Sequence, residues 1–177
     1  MAKKIDPLNK KKYGALSVTL AVTDMKSAIE FYTKGLGFKK RAVHKGPDGS
    51  LMHAELTIRD CTLMLGPEMP GWSKSAKTLG ASPSSLYLYV ENADKAYAKA
   101  LKHGATPRMP VMDMFWGDRC GAFSDPEGYS WNVGTHIAEP TTREMNKKMK
   151  EQMANMKPPQ AAPPTAAASA AGSATQG

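Results

Sequence analysis

From residue 14 to residue 137 the chain switches between two hydrophobic periods. Ala15 to Val22 (ALSVTLAV) alternates, with Val18, Leu20 and Val22 on one face and Ser17, Thr19 and Ala21 on the other, the pattern of a half-buried strand. Asp24 is a good N-cap. Met25, Ala28, Ile29, Tyr32 and Leu36 then recur at helical spacing, and Gly35 and Gly37 stop the helix. Phe38 to His44 predicts a strand and Gly46-Pro47-Asp48-Gly49 a turn. Leu51 to Ile58 alternates again, setting Met52, Ala54, Leu56 and Ile58 against His53, Glu55 and Thr57. Arg59-Asp60 turns the chain into a short apolar strand, Cys61 to Leu65. This is one β-α-β-β-β unit.

A linker rich in Gly, Pro and Ser, residues 67–84, separates this unit from a second with the same order. Leu86, Leu88 and Val90 alternate with Ser85, Tyr87 and Tyr89. Asn92 caps a helix whose apolar stripe is Ala93, Ala96, Tyr97, Ala100 and Leu101, ended by Gly104. Arg108 to Met112 predicts a strand. Arg119 to Phe123 and Tyr129 to Val133 predict a hairpin closed by Asp125-Pro126-Glu127-Gly128, where Pro126 presets φ, Asp125 can bond its own backbone and Gly128 tolerates positive φ. Sliding the chain by 68 residues superposes Ser17 on Ser85, Leu20 on Leu88, Val22 on Val90, Asp24 on Asn92 and Ala28 on Ala96, an internal repeat.

The run Phe115-Trp116-Gly117-Asp118-Arg119, Asp125-Pro126-x-Gly128, Thr135-His136 resembles the closing hairpin of the vicinal oxygen chelate group, which includes glyoxalases, bleomycin-resistance proteins and extradiol dioxygenases, and in particular its bacterial glyoxalase-like members. The resemblance spans residues 14–137. It implies an α+β fold in which module one (14–66) and module two (85–137) form an open, curved-sheet cup with the helices outside. It also implies a homodimer.

Outside that body the composition changes. Residues 1–13 carry five Lys and one Asp, and predict a basic flexible arm. Residues 138–157 predict a helix over Thr141 to Met156 with Thr142 as N-cap, striped by Met145, Met149, Met153 and Met156. Residues 158–177 are Ala, Pro, Ser, Gly, Thr and Gln, too poor in apolar surface to offset ordering entropy, and predict a disordered tail. The net charge of +8 therefore sits mostly in the ends, and no stacking aromatics accompany the lysines, so nucleic-acid binding is not expected. No apolar run reaches the ~20 residues of a membrane span, and the N-terminus has no secretory h-region. Cys61 and Cys120 form no metal-spaced pair and no disulfide framework, which fits the cytoplasm.

Period two sorts the strand residues into a core face and a cup face. The cup face should carry Ser17, Thr19, His53, Glu55, Thr57, Thr62, Met64, Ser85, Tyr87, Tyr89, Ser130 and Asn132. The resemblance implies four metal-ligand positions in metal-dependent members; here they hold Ser17, Met64, Ser85 and Asn132, and no metal is expected. His53-x-Glu55 puts an imidazole and a carboxylate on one strand face, a possible acid/base pair or a polar surface contact. Arg119 suits a carboxylate or phosphate, or an ion pair with Asp118 or Asp113. Trp116, Phe115, Tyr87, Tyr89 and Trp72 could wall a pocket, with Ser17, Ser85 and Asn132 lining it. His44, His103 and His136 read as surface or terminal residues. Three readings stay open: metal-free binding of a small amphipathic molecule, a lyase, isomerase or dioxygenase using His53 and Glu55 or atypical ligands, and an interaction module acting through its tails.

Overall fold

A computed structural model describes residues 7–9 and 11–155. The proposed disordered tail lies outside the described residues, as does most of the arm. Two four-stranded mixed sheets form the body. Sheet one has the order β1 (Ser17–Val22), β4 (Cys61–Pro67), β3 (Leu51–Ile58), β2 (Lys39–Lys45). Sheet two repeats it with β5 (Ser85–Tyr89), β8 (Ser130–His136), β7 (Asp118–Ser124) and β6 (Thr106–Asp113). In each, the first strand pairs parallel with the last and the other pairs are antiparallel. Ser17 faces Thr62 and Thr19 faces Met64, just as Ser85 faces Ser130 and Tyr87 faces Asn132. The shift of 68 is thus a shared hydrogen-bond register.

Asp24 caps α1 (Met25–Glu30), its carboxylate accepting from the Lys26 and Ser27 amides. The helix continues as a π-helical turn, Phe31–Gly35, so that the adjacent Phe31 and Tyr32 are both buried. Asn92 caps α3 (Ala93–Lys102). The linker holds a helical turn, α2 (Ala76–Leu79), that its composition hid; the Ser75 hydroxyl caps it and Gly80 ends it in the left-handed region. The strand β6 is longer than the alternation predicts. It is an edge strand, where Pro107 and Pro110 are tolerated. After the body, which ends at Pro140, α4 (Thr142–Asn155) forms a separate unit. Its cap is Thr141, one residue before the expected one: the Thr141 hydroxyl accepts from the Glu144 amide while the Glu144 carboxylate accepts from the Thr141 amide, a capping box.

Leu20, Val22, Leu56, Leu63 and Leu65 of sheet one, Leu88, Phe123, Trp131 and Val133 of sheet two, and the inner faces of α1 and α3 join in one core. The polar faces of both sheets turn away from it, as period two requires.

The Asp-Pro-Glu-Gly turn locks the modules together. One Asp125 oxygen accepts from the Glu127 and Tyr129 amides, the bond to its own backbone that the motif predicts. The other accepts from Tyr32 Oη at 2.6 Å and Trp131 Nε1 at 2.8 Å. Burial pushes this carboxyl up against the pull of those donors. Glu127 crosses to module one and accepts from the Thr23 and Asp24 amides and the Thr23 hydroxyl. Gly128 has φ of 86°, and a Cβ there would meet the Lys77 amide.

Candidate functional site

On sheet two the polar face is open. Ser85, Tyr87 and Tyr89 alternate outward from β5 beside Ser130, Asn132 and Gly134 of β8. The neighbouring rows add Cys120 and Ala122 from β7 and Met109 and Met112 from β6. Tyr87 and Tyr89 stand side by side, ring centroids 4.9 Å apart, and are 40% and 48% exposed. Two aromatic rings left in water on a sheet face need a support, and Asp118 is it.

Asp118 begins β7 and is 1% exposed. Its Oδ2 accepts from Tyr87 Oη at 2.8 Å, Tyr89 Oη at 3.0 Å and Trp116 Nε1 at 3.1 Å. Its Oδ1 lies 2.9 Å from His136 Nδ1, and His136 Nε2 lies 3.0 Å from Glu139. Burial would raise the carboxyl, but the bonds from His136, Tyr87, Tyr89 and Trp116 outweigh it and hold it below the ordinary value. The bonds to Asp118 and Glu139 raise His136. Burial, then contact with Cys120 and Asp118, drives the Tyr87 phenol well up, so it stays a neutral donor. Gly134 lies under the Tyr87 ring, where any Cβ would collide with the phenol oxygen. Trp116 meets Phe115 edge to face at 4.9 Å. At the Tyr89 end opens a cleft of about 610 Å³ lined by Ile58, Arg59, Tyr89, Val90, Glu91, Thr135 and His136; Tyr87 does not line it.

The structure thus brings together Tyr87, Tyr89 and Trp116, and pairs Asn132 with Ser85 through a 2.7 Å bond from the amide to the hydroxyl. Sequence reasoning missed the carboxylate that organises them and took His136 for a terminal residue. The signal was there: Asp118 is two residues from Trp116, and His136 is its cross-strand partner.

Arg119 takes the ion pair with Asp113 that is one of its expected alternatives, and adds Asp94, in place of a ligand. It alternates with Asp118 and so points to the helix side. There its Nε and Nη2 clamp Asp94 in the first turn of α3 at 2.7 and 2.9 Å, and its Nη1 binds Asp113 at 2.8 Å. The two carboxylates raise an already permanent charge. With three of its donors committed, Arg119 ties α3 to β6 and does not face the tyrosine site.

Ser17 lies on the polar face of sheet one, and this face is covered around Glu55. Tyr13 Oη donates to Glu55 Oε1 at 2.6 Å. Arg41 Nε donates to Glu55 Oε2 at 2.8 Å, and Lys12 Nζ is 3.3 Å from the same oxygen. Glu55 is left 6% exposed. The hydrogen bond from Tyr13, aided by Arg41 and Lys12 and opposed by burial, lowers its carboxyl to about 2. His53 Nε2 is 3.9 Å from Glu55, too far for a hydrogen bond, and its ring stacks on His44 at 5.9 Å. The expected acid/base pair shares a face but not a proton: near neutral pH this carboxylate is ionised and fully engaged.

Ser17, Met64, Ser85 and Asn132 offer hydroxyl, thioether and amide donors, which do not fit a divalent zinc, nickel, manganese or iron ion. Among the described residues, no group of three or more His, Cys, Asp or Glu side chains is placed to hold a metal.

A family model described as Glyoxalase/Bleomycin resistance protein/Dioxygenase superfamily matches residues 14–133. An uncharacterized protein of Mycobacterium bovis is 37% identical over 142 residues, which is 78% of this chain and 93% of that protein. Among solved structures, TioX from Micromonospora sp. ML1 aligns with a TM-score of 0.58 at 22% identity over 70% of this chain and 99% of its own. TnmS3, described as an antibiotic binding protein from Streptomyces sp. CB03234, aligns with a TM-score of 0.54 at 22% identity and the same coverage.

Proposed function

The chain belongs to the Glyoxalase/Bleomycin resistance protein/Dioxygenase superfamily, and within it we propose a metal-free binding protein that holds a small, flat, amphipathic molecule against sheet two. The observation that carries this is the tyrosine pair: two exposed rings fixed by one buried carboxylate present a rigid stacking surface with little entropy left to lose on binding. Met109 and Met112 add an adaptable apolar margin, and Ser85 and Asn132 add polar contacts at the far end of the row. The description of TnmS3 as antibiotic binding supports the same class of ligand. The reading includes a homodimer. It also includes a reducing cytoplasmic setting, in which Cys61 and Cys120 remain thiols.

The test is a thermal-shift screen of planar aromatic compounds, followed by titration with the best hit read by tryptophan fluorescence, with Trp72→Phe as the background that leaves Trp116 and the buried Trp131. Tyr87→Ala should weaken that hit by roughly two- to ten-fold, the range a lost aromatic contact gives. Unchanged affinity in both Tyr87→Ala and Tyr89→Ala would place the ligand elsewhere.

A further inference from the structure

We propose that the polar face of sheet one is a second site, for a phenol-bearing ligand, and that the chain's own Tyr13 occupies it in cis. The phenol of Tyr13 is held as a bound ligand would be. Its hydroxyl donates to Glu55 at 2.6 Å. Its ring lies under the Arg41 guanidinium, 4.4 Å from centroid to Cζ, with the Lys12 ammonium at 5.0 Å. Glu55 is nine-tenths buried, projects from the middle of β3, and is flanked by Ala42 of β2 and Met64 of β4, a small apolar floor. A carboxylate with this much of its surface covered is a built acceptor, not a solvated edge charge.

The cover is held by few bonds. Lys12 and Tyr13 reach the face through the bonds to Glu55 and through Arg41 Nη1, which donates to the Lys12 carbonyl at 2.6 Å. Among the described residues, Arg41 Nη2 is buried beside them with no hydrogen-bond partner. An unsatisfied buried donor is costly, so an occupant bringing an acceptor next to its phenol would fit the site better than Tyr13 does. The site is independent of the tyrosine pair on sheet two, and the two readings can fail separately.

The probe is p-cresol, the side chain of tyrosine, with toluene as the same ring without the hydroxyl. In the full-length chain, Tyr13→Ala should bind p-cresol about ten-fold or more tightly than the native protein, because a phenol must otherwise displace the arm. Binding is read by thermal shift and by NMR shifts of the Ala42 and Met64 methyls. Toluene should bind the variant far more weakly, and Tyr13→Phe, which keeps the ring in place, should not gain p-cresol binding. In the native protein, saturating p-cresol should speed tryptic cleavage after Lys11 and Lys12. Equal p-cresol affinity in native and Tyr13→Ala chains, or no preference for p-cresol over toluene, overturns the proposal. If Tyr13→Ala does not fold alone, recovery of the fold in p-cresol but not in toluene supports it, and recovery in neither overturns it.

Discussion

Replacing Asp118 by alanine removes the acceptor on which the open face depends. Tyr87, Tyr89 and Trp116 all donate to one oxygen. Bonds to a buried charge can contribute ~1.5–3 kcal/mol each, but these donors are partly exposed and water would replace the carboxylate, so ~0.5–1 kcal/mol each is the better value. Relief of the buried charge returns part of that sum. The net cost should be about 1–2 kcal/mol. Urea unfolding at pH 7 measures it as a lower midpoint at constant slope. His136 adds a second signature. Its folded value is raised, so the stability it contributes is complete below its unfolded value near 6.5 and fades as pH rises through the higher folded one. Asp118→Ala should flatten that decline, leaving only the part due to Glu139. A loss below ~0.5 kcal/mol with an unchanged pH profile would mean that the four-donor cluster does not form in solution.

Gly134→Ala should push the Tyr87 ring aside, because the new methyl would occupy the place of its phenol. Ligand affinity should fall with little change in far-UV circular dichroism. Glu55→Gln should flatten the acid limb of the stability curve. The native carboxyl sits near 2, so its contribution is present above the unfolded value near 4.5 and is lost as pH falls toward 2. Asp125→Ala strips Tyr32, Trp131 and two amides of their acceptor inside the core, and should cost about 3–5 kcal/mol in urea unfolding. Arg119→Ala should loosen α3 in hydrogen exchange yet leave ligand affinity unchanged, since the side chain is on the helix side. Elemental mass spectrometry of the purified chain should find no stoichiometric divalent metal.

The fold was legible because β1, β3, β4, β5, β7 and β8 set apolar residues toward the core at alternate positions, and period two then fixes their register; the edge strands β2 and β6 bury no residue and pair through register shifts. The parallel pairs β1–β4 and β5–β8 follow the repeat without slip. The Asp113 ion pair of Arg119 was among the expectations, but its side of the sheet escaped, because a hairpin has two rims and the motif Trp116-Gly117-Asp118-Arg119 does not say which charge takes which. Once Phe123 is fixed in the core, alternation along β7 sends Asp118 to the polar face and Arg119 to the helices. The partners of Glu55 escaped for a different reason. Tyr13 and Arg41 are 42 and 14 residues away, and nothing local marks a lysine-rich N-terminus as a cover for one carboxylate. His53 is two residues away, yet contributes no hydrogen bond.

The repeat explains why the two faces have different fates. Thr19 of module one corresponds to Tyr87 of module two, and Ala21 to Tyr89. Beyond the first pair of strands the turn in module two is one residue longer. Glu55, which faces Met64, therefore corresponds to Ala122, which faces Asn132. Module one has the acceptor and no aromatic pair, so it captures an aromatic residue from its own arm. Module two has a methyl at the Glu55 position, and its own buried acceptor, Asp118, is already taken by its tyrosine pair, so its face stays open. Transplanting one difference tests this account: Ala122→Glu puts a carboxylate on the open face beside Asn132, where water still reaches it, so stability should change by less than ~1 kcal/mol while affinity for p-cresol should rise about ten-fold. If p-cresol affinity does not rise, the asymmetry of the faces does not rest on this pair of positions.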